Sequence, residues 1–376
     1  MSAHPPVSSR GKRGSVIILV LVFIVLLTFI VVAFLEEASS RIKYYGLFHN
    51  RDDLRVDAYS ALEISLAVIN QYREVEGALW GPAQGWGNPL AETGFVPAHA
   101  QAVQVSFGDE SAKLPLASLD YDTLLILFDV LGFDLPEAES LADGLLDWTD
   151  EDDLRRLNGF DGDDYEDFEP PYKPSNAPIV SWDEFRLIEP WRTLFFDENG
   201  IPNEKWALFK SAVSLYHEGP VNINQASRTV LEVFYEKGLV DIRSLEYYQN
   251  GADGIPGTED DRLIRGDSST SNLLPAESSE LTTSIQLLRV KVEAIRGDAR
   301  FMVEALVTWS GANPGAGDTE VERPAEEESR ENINSETQTS REERVRARGQ
   351  TRTAPSTAAN LGYPFRFVRI TENRKI

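Results

Sequence analysis

From Gly14 to Leu35 the chain carries no charged residue. At about 1.5 Å per residue, a helix starting at Ser15 is long enough to cross a hydrocarbon core of about 30 Å. A secretory signal has a shorter apolar centre and a small-x-small exit, which Ala33-Phe34-Leu35-Glu36 does not supply. Arg10, Lys12 and Arg13 precede the run, and Glu36 and Glu37 follow it. That asymmetry predicts a single-pass anchor in the bacterial inner membrane, N-terminus cytoplasmic and the remainder periplasmic. The helical period then continues. Leu47, Leu54, Ala58, Ala61, Leu62, Ser65, Leu66 and Ile69 fall at three- and four-residue steps, predicting one long N-terminal helix to about Tyr72.

Beyond that helix the period changes. Glycine, proline and tryptophan from Gly77 to Pro97 predict a loop, and Ala102 to Phe107 alternates as a short strand. Helical spacing returns over residues 116–148, where Ser118-Leu119-Asp120 offers a cap, followed by Leu124 to Leu131 and an amphipathic run from Glu137 to Trp148. Strand alternation resumes at Leu287 to Ala294 and Arg300 to Trp309, with Arg296-Gly297-Asp298 as the turn, and again at Tyr363 to Ile370. Strands thus flank a helical block, and the expected class is α+β: a long N-terminal transmembrane helix, a small antiparallel sheet and a large inserted all-helical domain. The boundaries read as 1–14 for a leader, 15–35 for the membrane helix, 36–112 for its extension and the first strand, 113–284 for the insertion and 285–310 for two strands. Residues 311–360, rich in Glu, Arg, Ser, Thr and Pro with few large aliphatics, are expected to be disordered, and 361–376 to close the sheet.

Composition narrows the function. Thirty-six basic against 61 acidic residues give a net charge of -25, which repels nucleic-acid phosphate. Without cysteine there is no disulfide framework and no thiolate chemistry. The acids are concentrated. Asp147, Asp150, Asp152, Asp153, Asp161, Asp163, Asp164, Glu166 and Asp167 crowd the end of a helix and the loop after it. Water alone can solvate such a cluster, but Trp148, Phe160, Tyr165 and Phe168 are interleaved and predict a loop held against a core, which favours a cation. The absence of histidine favours calcium over zinc. A second acidic loop, "QNGADGIPGTEDDRLI", spans residues 249–264.

Several of these stretches resemble one family. Lys12-Arg13-Gly14 abutting an apolar helix is similar to the cleavage site of type IV prepilins and type II secretion pseudopilins, in which a prepilin peptidase cuts after the glycine. The resemblance implies Ser15 as the mature N-terminus. Most members carry a glutamate at the fifth mature position, where this chain has Leu19. The K subunit at the fibre tip resembles this chain in having an apolar residue there, since a subunit with no neighbour above has no amine to neutralise. "ADGLLDWTDEDD", "GFDGDDY", "EPPYKPSNAPIVSWDEFRLI" and "GPVNINQASRTVLEVF" resemble the helical domain of pseudopilin K. The family implies a pseudopilin-type sheet and calcium in the first loop, with Asp147, Asp150, Asp152, Asp161, Asp163 and Asp164 as candidate ligands. The second loop resembles the calcium loop of the major pseudopilin. Carried over, Asp253, Asp260 and Asp261 bind through carboxylates, Asn250 and Ile255 through carbonyls and Thr258 through its hydroxyl. Implied partners are the minor pseudopilins I and J, the major pseudopilin and prepilin peptidase. Two departures stand out: the stretch after Gly311, and "LRRLNGF" from Leu154 to Phe160 between the acidic pairs.

"VNINQAS" also resembles the opening of helix-hairpin-helix DNA-binding modules, but Phe234-Tyr235-Glu236-Lys237-Gly238-Leu239 after it lacks their Gly-hydrophobic-Gly hairpin. It reads instead as a helix start, with Asn224 and Ser227 as caps and Val221 and Ile223 packed inward. His4, His49, His99 and His217 are scattered, and no zinc-protease, P-loop or dinucleotide pattern is present. The expectation is a structural assembly protein rather than an enzyme, with a membrane-anchored metal-dependent hydrolase or a DNA-uptake pilin-like protein as alternatives.

Overall fold

The computed structural model describes residues 13–152, 154–160, 162–255, 258, 260–266, 273–274, 278–309 and 364–373, with side chains over 17–39 and from 51 onward. In chain order the elements are α1 (Arg13–Glu76), α2 (Pro89–Thr93), β1 (Ala102–Asp109), β2 (Leu114–Pro115), α3 (Tyr121–Val130), α4 (Leu135–Thr149) and α5 (Gly162–Glu166). Then come α6 (Glu189–Phe195), α7 (Glu204–Ala212), β3 (Val213–Ser214), β4 (Val221–Asn222), α8 (Arg228–Glu236), α9 (Ile242–Gln249) and β5 (Leu281–Thr282). The strands β6 (Leu288–Arg296), β7 (Ala299–Trp309) and β8 (Phe365–Glu372) complete the set. The fold is α+β, and the expected disordered stretch 311–360 lies outside the described residues.

The outer half of α1 is amphipathic, and its stripe does what its spacing predicts. Leu54, Ala58, Ala61, Leu62, Leu66 and Ile69 are buried against one face of an antiparallel sheet of order β1-β6-β7-β8. Leu47 of that stripe lies outside the described side chains. Because strand side chains alternate, Val290, Val292, Ala294, Phe301, Val303, Ala305 and Val307 all reach α1, while Arg289, Lys291 and Glu304 face the other way. Ser65 is buried in the stripe without an unmet donor, because its hydroxyl donates to the Ala61 carbonyl at 2.7 Å. Buried Asp57 accepts the backbone N–H groups of Ala98, His99 and Ala100 at 3.1, 2.7 and 2.6 Å and so hangs the lead-in to β1 on the helix. Glu372 at the end of β8 is tied to α1 by Arg55 and Tyr59, both at 2.8 Å.

The helical block has a core of its own, built on aromatic rings. Phe128, Phe185, Trp191, Phe195, Trp206 and Phe209 form one contiguous cluster, with Phe185 and Trp191 centroids 4.6 Å apart. The Trp191 indole N–H donates to the Leu141 carbonyl at 2.9 Å, so the largest ring in the centre has its polar atom satisfied. Local signals start the helices. Asp120 caps α3 through the Thr123 N–H, Asp134 and Glu137 form a capping box on α4, and Ser227 caps α8. Asn224 does not cap. Its amide accepts from the Ile264 N–H and donates to the Ile264 and Thr283 carbonyls, stapling the way in to the way out of the block.

The block joins the sheet at a narrow seam. Two-residue parallel pairings, β2 with β3 and β4 with β5, close it. Beside them Asn222 donates to Asp109 at 2.7 Å, the Gln286 N–H donates to the Ser111 hydroxyl at 2.9 Å, and buried Glu110 pairs with Arg289 and Lys113. Burial opposes ionisation of Glu110, but Lys113 and Arg289 prevail and hold it below the usual carboxylate range.

Candidate functional site

At the N-terminus α1 starts at Arg13 and takes in Gly14 and Ser15, and residues 1–12 lie outside the described residues. Ile17–Ser39 is long and apolar enough to cross a membrane, with mean hydropathy 3.5 and none of it buried. Leu19 is exposed within it, as a residue meant for lipid or for another helix is.

In the first acidic loop the aromatic expectation is met. Tyr165 is fully buried, and its ring packs against Trp148, Phe160 and Phe168 at 5.4, 6.3 and 5.9 Å. Burial also pushes its phenol well above the ordinary value. The carboxylates do not assemble into the expected ligand set. Arg156 Nη1 lies 2.6 Å from both Asp147 and Asp150, so a guanidinium takes the place between them that a cation would need. Asp147 is 2% exposed, and it accepts the Arg156 backbone N–H as well. Burial raises its pKa against the pull of Arg156. Asp164 pairs with Arg155 at 3.0 Å, Asp152 closes a local turn onto the Leu154 N–H, and Asp163 is exposed. Asp161 lies outside the described residues. A Cβ on Gly159 would stand 1.8 Å from Asp147 Oδ2, so only glycine lets the arginine-bearing loop close down on α4. Among the described residues no group of three or more acids and histidines is arranged to hold a metal ion. Sequence reasoning marked "LRRLNGF" as a departure but missed its role. A basic pair placed between acidic pairs was the available signal.

The second acidic loop is built differently. Thr258 Oγ1 lies 3.4 Å from Asp253 Oδ1, 3.1 Å from the Ile255 carbonyl and 2.7 Å from Asp260 Oδ1. Four of the predicted donors therefore converge on one small all-oxygen cluster, the chemistry that suits a hard divalent cation. Asp260 also accepts the N–H groups of Ala252 and Asp253, and its pKa is lowered by the Thr258 hydroxyl first and those amides second. Gly251 adopts φ +67°, and a Cβ there would fall 2.4 Å from Asp260, so the turn needs glycine on both counts. Asp261 is tied to the same turn by its N–H, which donates to the Thr258 carbonyl. Asn250 is the C-cap of α9, its N–H bonded back to the Glu246 carbonyl at 2.9 Å.

Residues 109–196, from the last residue of β1 to just past α6, match the family model of Type II secretion system (T2SS), protein K. Over that stretch the chain is similar to protein K. The matched residues include the first acidic loop and most of the aromatic core. Among solved structures, the GspK-GspI-GspJ complex from the enterotoxigenic Escherichia coli Type 2 Secretion System is similar at 17% identity, covering 73% of this chain and 95% of that chain with a TM-score of 0.49. No curated protein matches.

Proposed function

We propose that the chain is a minor pseudopilin of the type II secretion system that initiates and caps the pseudopilus at its tip. The observation that carries this reading is the match to protein K over residues 109–196, a stretch that leaves β1 and lies before β6 of a small sheet that is itself packed on the N-terminal helix. A prepilin peptidase cuts after Gly14, Ser15 becomes the mature N-terminus, and α1 packs laterally among the helices of minor pseudopilins I and J above the major pseudopilin. Leu19 supports the tip position, since it offers no carboxylate to an upper neighbour's amine. The reading places α1 in the inner membrane and the sheet and helical block in the periplasm, as a structural part with no catalytic role. Calcium belongs to this proposal at the second loop alone. There Asp253, Ile255, Thr258 and Asp260 would hold it, bridging loop segments whose carboxylates otherwise repel. The test is incorporation in the native host: N-terminal sequencing of the fibre-associated protein should begin at Ser15, and labelled antibody should mark one end of each fibre. Labelling along the whole length would refute the tip reading.

A further inference from the structure

Between the helical block and the outer face of the sheet lies a cavity of about 520 Å³. One wall is the cross-strand row Arg289, Leu306 and Arg369 of β6, β7 and β8. The other is Trp182, Arg186, Trp206 and Lys210 from the block, with Lys113 and Tyr216 at the side. In a chain of net charge -25, five cationic residues face this one space against Asp183 and Glu304. Arg289 and Lys113 are answered from within, by Glu110 and, for Arg289, by Glu304 as well. Arg186 and Arg369 are held otherwise. Arg186 stacks 5.0 Å from the Phe196 centroid, and Arg369 lies 5.3 Å from the Tyr216 centroid and donates to its hydroxyl. Among the described residues no carboxylate pairs with either. Ring faces fix the orientation of these two guanidiniums, and N–H groups other than the one Arg369 gives to Tyr216 can donate to an anion.

We propose that this cavity binds an acidic peptide segment of a protein partner, with carboxylates on Arg186 and Arg369 and an apolar side chain against Trp182 and Trp206. The size argues for a peptide. The volume falls in the range of sites for ligands of many atoms, about 300–1,000 Å³, and a lone inorganic anion leaves the tryptophan walls without a partner. The charge argues for a short acidic stretch rather than a long polyanion. Charges more than a Debye length of about 8–10 Å from the cavity are screened from its cations, and those lying over the surrounding acidic surface are repelled by it, so only charges seated inside are attracted. The site is independent of the fibre role proposed above.

The probe is a fluorescein-labelled peptide, acetyl-Glu-Glu-Leu-Glu-Glu, added to the full-length protein in detergent at about 0.1 M salt, where the Debye length is about 10 Å, and read by anisotropy. Saturable binding is expected, weakened about tenfold when Gln replaces each Glu and about tenfold in Arg186→Glu and Arg369→Glu. Arg243→Glu, the same charge change on α9 away from the cavity, is expected to bind as wild type does. If Arg369→Glu loses its fold with the Tyr216 contact, Arg186→Glu and Lys210→Glu carry the comparison, with unchanged melting as their control. No saturable binding overturns the proposal, as does an equal loss in Arg243→Glu. Complete displacement by millimolar inorganic phosphate overturns it in favour of a small-anion site, and retention by anionic vesicles in place of the peptide overturns it in favour of lipid.

Discussion

Arg155 and Arg156 are neighbours in the first acidic loop, each paired to aspartate, yet their environments set very different energetic weights. The Arg155–Asp164 pair has side chains 53% and 29% exposed, and an exposed pair of this kind contributes about 0–1 kcal/mol. Arg156, 37% exposed, reaches inward to Asp147 at 2% exposure and to Asp150. Removing the guanidinium leaves a buried carboxylate facing another carboxylate. Breaking a buried pair costs about 3–5 kcal/mol, and because Arg156 itself keeps water contact the lower end, about 3 kcal/mol, applies. For a chain of this size that is a fall in melting temperature of roughly 6–12 °C for Arg156→Ala, against roughly 2–4 °C at most for Arg155→Ala. The variant should also acquire a response to divalent cations. With the arginine gone, Asp147 and Asp150 can share a calcium ion, so calcium should raise the melting temperature of an Arg156→Ala, Asp260→Ala double variant but not that of Asp260→Ala alone. Differential scanning calorimetry of the wild type and the four variants, with calcium and with chelator, measures both effects. Equal losses in the two arginine variants would refute the claim that burial sets the weight. Absence of any calcium response in the double variant would refute the claim that a guanidinium stands where a cation would.

Three further outcomes follow from local geometry. Asp260→Ala removes the acceptor that gathers Ala252, Asp253 and Thr258, so any calcium-induced rise in the melting temperature of the wild-type protein should disappear, while Asp163→Ala should leave it intact. Asp57→Ala leaves three N–H donors of the lead-in to β1 without their acceptor and should cost about 2 kcal/mol, with hydrogen exchange at residues 98–100 accelerating before the rest of the sheet; uniform acceleration would refute a local clamp. Asp109, at the seam, is pushed by burial up to about 6 from 3.8, against hydrogen bonds from Ser111 and Asn222. The folded state therefore favours the neutral acid, so this contribution is fully present below 3.8 and is lost as pH rises through 6, about 3 kcal/mol in all. Asp109→Asn should flatten the difference between urea midpoints at about pH 4 and about pH 7, and an unchanged difference would remove Asp109 as its source.

The parts of this fold that repeat were legible in the sequence. The α1 stripe, the alternation in β6 and β7 and the late return of β8 each show a period over six or more residues, and each element formed within a few residues of its expected ends. Caps with a fixed offset, Asp120 and Ser227, were equally readable. What escaped has no period. The pairings β2–β3 and β4–β5 are two residues long and join positions about a hundred and about sixty residues apart, respectively, too short to leave a pattern at either end. Asn224 looked like a cap because its type and position allow one, and only the packed structure offers it the better partners at Ile264 and Thr283. In the acidic loops residue type alone named oxygen donors. Whether they meet a cation or an arginine depended on where "LRRLNGF" folds back, and that is a tertiary fact.

The sheet divides the molecule's tasks by its two faces, and the division follows from strand alternation alone. Val290, Val292 and Val303 point to α1, so the inner face is committed to the helix that continues into the apolar span. Arg289, Glu304 and Arg369 point the other way, where a charged row left bare would gain only what exposed pairs give. The helical block lies over that row and encloses part of it, which strengthens each charge by removing water from around it. The block thus adds bulk on the side away from α1, leaving the lateral face of the helix open to neighbouring helices while presenting a second surface outward. A subunit arranged in this way contributes one helix to a bundle and keeps its remaining mass clear of it, which is what the proposed position at the end of a fibre demands.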